Sequence, residues 1–198
     1  MSAPLPYVLA IYGSPRRSGN SATLLGECLR GVANWTDNID RVFLRDLEIS
    51  PCLEIYACAK TGRCAIRDDF DLLVPKLEQA DLVILASPIM FYAVSAHTKA
   101  LMDRCQAFWV KRYWLKEPIN PDKLRRKGVF ISVGATKGKR LFDGAILSAR
   151  YFFDALDIEM AATLCFGGLD AAGDVLQHPE YLQQAYDLGV SLWDVVMK

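Results

Sequence analysis

The sequence carries no surplus of either charge: 23 basic and 23 acidic residues balance across 198 positions. A chain that holds nucleic acid or an anionic membrane surface along its length needs a basic excess, and that excess is missing. No apolar run reaches the roughly 18 residues that span a bilayer. The opening MSAPLPYVLAIYG has neither the basic n-region nor the cleavage pattern of a secretion leader. A cytoplasmic location is expected, with no nucleic-acid partner and no membrane partner. Histidine is scarce: His97 and His178 each open a helical pattern, where surface or capping duty is expected rather than acid–base work. No repeat and no low-complexity tract interrupts the chain. Two nucleotide signatures are absent as well. Without G-x-G-x-x-G there is no dinucleotide fingerprint, and without G-x-x-x-x-G-K-[ST] there is no triphosphate P-loop. The first absence weakens a nicotinamide-only reading in which Asp46, after the second strand, would grip a ribose.

Hydrophobic residues are plentiful, at 52%, so the chain can bury a core and is expected to form one domain over 1–198. Strands are expected at Tyr7–Tyr12, Asp40–Arg45, Leu82–Ser87, Gly128–Val133 and Glu159–Phe166. Runs such as LVILAS and VFISV are apolar without alternation, as in parallel strands covered on both faces. Helical patterns lie between them at about 20–33, 69–79, 95–110, 140–156 and 178–197. This alternation predicts a doubly wound α/β fold of five strands. Two segments stand outside it: a loop at about 48–70, and an excursion at about 111–127 rich in Lys, Arg, Pro and aromatics.

Three strands run into unusual loops, all at the carboxyl edge where doubly wound sheets bind ligands. The first, GSPRRSGNS, joins strand to helix at residues 13–21. Gly13 and Gly19 allow a tight turn and close backbone approach. Ser14, Ser18, Asn20 and Ser21 offer short polar side chains. Arg16 and Arg17 can neutralise a dianion, and a helix N-terminus through Ala22 supplies unpaired amides. An ordinary turn with a Ser or Asn cap explains one or two of these residues, not the set. A single terminal phosphate, as on a mononucleotide, is the expected ligand.

Here the sequence resembles a known family. GSPRRSGNSATLL is similar to the phosphate loop of the NAD(P)H-dependent FMN reductases, within the flavodoxin-like superfamily. ASPIMFYAVSAHTKALMDR resembles their second flavin loop, and VGATKGKRLFDGAILSARYFFDALDIE a third block, nearest the iron-sulfur flavoprotein branch. The likeness spans about residues 7–166. It implies a flavodoxin-like three-layer α/β/α sandwich with a parallel sheet in the order 2-1-3-4-5. It also implies non-covalent FMN, reduction by NADPH or NADH, and a small-molecule or protein electron acceptor such as a quinone, nitro compound or ferric ion. A non-catalytic FMN electron carrier is the alternative, although the acidic surface of small flavodoxins is missing.

The other two loops suit a flavin. Pro88, Ile89, Met90, Phe91 and Tyr92 offer apolar and aromatic surface for the ring face, with core packing or an oligomer contact as the rival explanation. Gly134, Ala135, Thr136 and Lys137 are small and flexible around one hydroxyl and one ammonium. Lys137 is expected either to stabilise negative charge at the pyrimidine edge or to be a solvated turn lysine. No catalytic acid is assigned, since hydride passes directly between the two rings. A homodimer or homotetramer is expected, with the aromatic stretch Phe108–Trp114 either at the contact or in the core.

Six cysteines sit at 28, 52, 58, 64, 105 and 165. Cys28, Cys105 and Cys165 read as buried small hydrophobes. In the iron-sulfur flavoproteins the remaining region resembles C-x2-C-x2-C-x5-C, whose places here fall on Cys52, Ile55, Cys58 and Cys64. Ile55 cannot ligate iron, so no metal is expected. The three thiols are left as structural groups or as a redox-sensitive pair.

Overall fold

The computed structural model describes residues 5–123 and 125–197. Five parallel strands form one sheet: β1 (Val8–Tyr12), β2 (Ile39–Phe43), β3 (Leu82–Pro88), β4 (Lys127–Gly134) and β5 (Glu159–Gly167). Their order is β2-β1-β3-β4-β5, as the resemblance implies. The register starts level, with Val8 opposite both Ile39 and Leu82, Leu82 opposite Lys127, and Lys127 opposite Glu159. Every residue of β1 is buried, which is why its run reads as apolar without alternation. On the edge strand β5 exposed and partly covered residues alternate over its first half.

Strand side chains divide between two cores. Leu9, Ile11, Val83, Leu85 and Phe130 face one layer with Phe70, Leu101, Phe108 and Phe153. Val8, Ala10, Ile84, Val129 and Ile131 face the other with Leu25, Cys28, Val175 and Leu192. The first layer comprises α3 (Phe70–Gln79), α4 (Ala96–Arg104), α5 (Gln106–Tyr113) and α6 (Asp143–Ala155). The second comprises α1 (Asn20–Val32) and α7 (Pro179–Met197). The last two cross on glycines: a Cβ on Gly189 would sit 2.0 Å from Cys28 O, and one on Gly31 would sit 2.2 Å from Tyr186 O.

Two details differ from the sequence expectation. The helix expected over 95–110 is divided at Cys105 into α4 and α5, and a one-turn helix, α2 (Cys58–Thr61), lies inside the 48–70 loop. The aromatic stretch is largely accounted for by packing within the chain. Phe108 is in the core, and Trp109 meets Tyr113 at a tilt, 5.5 Å between ring centres, and Trp114 edge-on at 5.6 Å. No helix among the described residues is long and apolar enough to cross a membrane.

The winding reverses between β1 and β3, so the loops after those strands flank a crevice at the sheet's carboxyl edge. The loop after β4 closes its far side.

Candidate functional site

The first loop enters α1 at Gly19, which caps the helix through backbone geometry alone. No side chain accepts a bond from the first turn. The opening amides of α1 therefore point outward with the positive end of the helix dipole behind them. Ser14, buried beside them, accepts the Arg16 N–H on its Oγ at 3.0 Å. A Cβ on Gly19 would approach that Oγ to 3.2 Å, so the loop is drawn tight around this point. Gly13 is needed for a different reason: a Cβ there would lie 2.0 Å from Thr98 Oγ1 and 2.9 Å from Ala86 O.

Buried hydroxyls tie the first loop to the second. Ser95 caps α4, accepting from Thr98 N–H at 3.3 Å, and donates to Gly13 O. Ser87 Oγ accepts the Ser95 N–H at 3.0 Å, and Ser132 Oγ donates to Ser87 O at 2.8 Å. Hydroxyls on β3, β4 and α4 thus hold two loops in fixed relation, with no buried side-chain polar atom among the described residues lacking a partner.

A cleft of about 130 Å³ lies where the loops meet. Ser14, Arg16, Gly19, Asn20 and Ser21 form one end. Pro88, Ile89 and Met90 form a wall, and Val133, Gly134 and Ala135 form the floor. Leu169 and Asp170, from the segment after β5, close the last side. Ten of the residues expected from the sequence therefore come together: Ser14, Arg16, Gly19, Asn20, Ser21, Pro88, Ile89, Met90, Gly134 and Ala135. Ser18 is exposed and Ala22 is covered by the first turn, and neither lines the cleft. Arg17 turns away, ion-paired with Asp46 at 2.5 Å and laid over the Phe43 ring at 4.8 Å. That pair also occupies the carboxylate considered as a ribose ligand.

Asn20 is oriented by long-range bonds rather than toward the cleft. Its Nδ2 donates to Ala171 O at 2.9 Å, and its Oδ1 accepts from the N–H groups of Gly173 at 3.0 Å and Val175 at 3.2 Å. Its backbone N–H, at the start of α1, is left for a ligand. Arg16 Nη1 also reaches the same segment, at Asp170 O, 3.0 Å. Asp174 completes the turn by accepting from the Asp170 and Ala171 amides at 2.9 and 2.8 Å.

The second loop ends in a two-residue reversal. Met90 and Ala93 exchange backbone bonds at 2.8 and 3.0 Å around Phe91 and Tyr92, whose φ angles are 50° and 62°. Two successive aromatics in the left-handed region cost about 1–3 kcal/mol each. Phe91 is completely exposed, Tyr92 is more than half exposed, and neither borders the cleft. Thr136 and Lys137 also stand outside it. Thr136 O accepts the Gly168 N–H at 3.1 Å, and Lys137 lies along Gly168, where a Cβ would meet its Cε at 2.6 Å.

His97 is exposed on the first turn of α4, and His178 stacks on Tyr181 at 4.5 Å while bonding Glu180 at 3.0 Å. Neither reaches the cleft, in keeping with the surface role expected. Burial pushes the Cys28 thiol up to about 12 and that of Cys105 higher still, as inert core sulfurs require, whereas Cys165, expected to be buried, is only half-covered on the edge strand β5, with its thiol raised to about 11. The residues that sequence reasoning missed are Ser87, Ser95, Thr98, Leu169 and Asp170. The S-x-x-T cap after the second loop was the available signal for two of them.

Comparisons with known proteins give the family and the fold. The family described as NADPH-dependent FMN reductase matches residues 6–159. An iron-sulfur flavoprotein of Methanocaldococcus jannaschii is 41% identical over 97 residues, 49% of this chain and 50% of that protein. An iron-sulfur flavoprotein of Methanosarcina thermophila is 31% identical over 130 residues, 66% of this chain and 64% of that one. In the first of these the chain spans only about half the relative's length. Among solved structures, an NAD(P)H:quinone oxidoreductase from Methanothermobacter marburgensis superposes with a TM-score of 0.69 at 17% identity, covering 96% of this chain and 98% of that one. At that identity the likeness establishes the fold.

Proposed function

The chain belongs to the NADPH-dependent FMN reductase family, and from that premise we propose that it is an FMN-dependent NAD(P)H oxidoreductase. In this reading it acts in the cytoplasm and passes reducing equivalents from NADPH or NADH to a quinone, nitro compound, ferric ion or protein acceptor. The observation that carries the reading is the single cleft in which an uncapped helix N-terminus, an apolar wall and a glycine-bearing floor converge.

The residues fit the cofactor by their chemistry. The amides at Asn20 and Ser21, the hydroxyls of Ser14 and Ser21, and the Arg16 guanidinium would hold the phosphate. Pro88, Ile89 and Met90 would cover the ring, and Gly134 and Ala135 would bring backbone to its polar edge. Bound FMN supplies the hydride acceptance and onward electron transfer. The chain's own task is to bind, orient and exclude water, and no side-chain acid or base is assigned.

The cleft volume of about 130 Å³ is well below the roughly 300–1,000 Å³ of sites that enclose a whole cofactor. The cleft would enclose only part of the cofactor, and the exposed Phe91–Tyr92 turn stands outside it. A second subunit covering that edge makes a homodimer or homotetramer the functional form, and the complete exposure of Phe91 supports this.

Titration of the flavin-free protein with FMN, followed by quenching of flavin fluorescence, tests the reading. Micromolar or tighter one-to-one binding is expected. Riboflavin should bind at least about a hundredfold more weakly, since it lacks a group making several charge-assisted bonds of about 1.5–3 kcal/mol each. Equal affinity for the two flavins, or none for FMN, would overturn it. Oxidation of NADPH with ferricyanide or a quinone as acceptor then distinguishes an enzyme from a passive carrier.

A further inference from the structure

Residues 51–66 gather three sulfurs around one small space. Cys52, Cys58 and Cys64 line a cavity of about 30 Å³ together with Ile55, Tyr56 and Ile66. All three are free thiols and half-buried. A four-iron cluster, as the relatives' names suggest, takes four thiolates. Ile55 stands where the second would be, and among the described residues no group of three His, Cys, Asp or Glu is placed to hold a metal ion. The donor set does not fit a four-thiolate cluster.

The three thiols are not equivalent. Arg104 Nε donates to Cys64 Sγ at 3.2 Å. The Arg104 side chain is fully buried, and three of its other four N–H groups bond Ser50 O at 3.0 Å, Ile66 O at 2.9 Å and Asp68 Oδ2 at 2.6 Å. Its guanidinium lies 4.7 Å over the Phe70 ring. A cation fixed on so many sides cannot swing off the sulfur, and its donor offsets negative charge as that charge forms on Sγ. Cys58 has no guanidinium beside it. Burial favours its neutral thiol, the nearby sulfurs of Cys64 and Cys52 add to this, and only backbone N–H groups, its own and that of Ala59, oppose it. Cys52 receives one long contact, from Glu54 N–H at 3.5 Å.

All three sulfurs can be reached from solvent. Cys64 borders a cleft of about 430 Å³, whose walls include Arg63, Arg67, Phe108 and Lys111, and Cys52 and Cys58 border another of about 370 Å³ with Met102 and Gln106. Gly62, at φ 64°, ends α2 and turns the chain so that Cys58 and Cys64 flank the same small cavity. What separates Cys64 from the other two is therefore the guanidinium beside it.

We propose that Cys64 and Cys58 form a redox-active thiol pair that reduces low-molecular-weight disulfides, with Cys64 as the attacking and Cys58 as the resolving sulfur. The Cys64 thiolate attacks one sulfur of a disulfide RS–SR. A Cys64–SR bond forms, the RS–SR bond breaks, and the departing thiolate takes up the proton that Cys64 gave up. Cys58, losing its proton, then attacks Cys64 Sγ. The Cys58–Cys64 disulfide forms, and the second RS⁻ leaves and is protonated to RSH. Two protein thiols lose two electrons, and one RS–SR becomes two RSH.

The test uses the full chain and oxidised glutathione. A brief iodoacetamide pulse at pH 7 with peptide mass mapping should show Cys64 alkylated at least about tenfold faster than Cys52 or Cys58. Incubation with oxidised glutathione should link the peptides bearing Cys58 and Cys64. Cys58→Ser should trap glutathione on Cys64, and Cys52→Ser should leave the link intact. Arg104→Lys should slow Cys64 alkylation about tenfold at unchanged circular dichroism. If that variant fails to fold, the ranking of the thiols in the unaltered chain decides. Equal rates at the three sulfurs, a link through Cys52, no adduct at all, or recovery of stoichiometric iron and sulfide on these thiols would each overturn the proposal.

Discussion

Replacing Asn20 by alanine removes the three bonds that join the phosphate-side loop to residues 171–175. The magnitude follows from what each orphaned group can find instead. Ala171 is exposed and Gly173 is partly so, so water can replace the side chain at Ala171 O and Gly173 N–H, each at a net cost of about 1 kcal/mol. Val175 N–H is buried and stays dry, which costs about 1–2 kcal/mol more. The sum is about 3–4 kcal/mol, and for a domain of this size roughly 6–16 °C in Tm. Urea unfolding of the flavin-free protein measures the first figure and calorimetry the second. Ser18→Ala, which alters an exposed hydroxyl on the same loop, should stay within about 0.5 kcal/mol. FMN affinity should fall with Asn20→Ala even where the chain is fully folded, because the amides of α1 lose their brace. A stability change under about 1 kcal/mol would refute the view that this side chain is a staple.

Other consequences are as direct. Gly189→Ala drives a methyl to 2.0 Å from Cys28 O, backbone against side chain, and should cost about 3 kcal/mol or more by urea unfolding. Phe91→Gly relieves a left-handed aromatic position and should stabilise the flavin-free monomer by about 1 kcal/mol, while weakening FMN binding or self-association measured by sedimentation. Burial alone would raise the Asp68 carboxyl, but the bond from Arg104 and those from the Ser50 and Phe70 amides hold it below the ordinary carboxylate range. Its contribution is therefore complete above about pH 4 and is lost as pH falls through the depressed folded value. Asp68→Asn should lower stability at neutral pH and flatten the acid limb of a stability profile. An unchanged acid limb would show that this pair does not govern it.

The order of elements was legible because buried parallel strands and amphipathic helices leave different periodicities in the chain. The helix break at Cys105 and the single turn at Cys58–Thr61 left no such mark, being set by packing rather than by pattern. The ligand loop was legible as a local concentration of glycine, hydroxyl and arginine at a strand-to-helix corner. Composition of that kind specifies which groups are available, not where they point.

Direction was decided by partners far along the chain. Arg16 and Arg17 are neighbours of one type, yet the first turns to Asp170 and lines the cleft while the second turns to Asp46 and leaves it. Asn20 reads as a phosphate ligand until residues about 150 positions away claim its side chain. Cys64 acquires its guanidinium from Arg104, 40 positions further along the chain. The primary structure set the chemistry available at each corner, because backbone preference and hydrophobic period are local. The tertiary structure alone assigned that chemistry its targets, because a hydrogen bond acts only across the few ångströms that folding brings together.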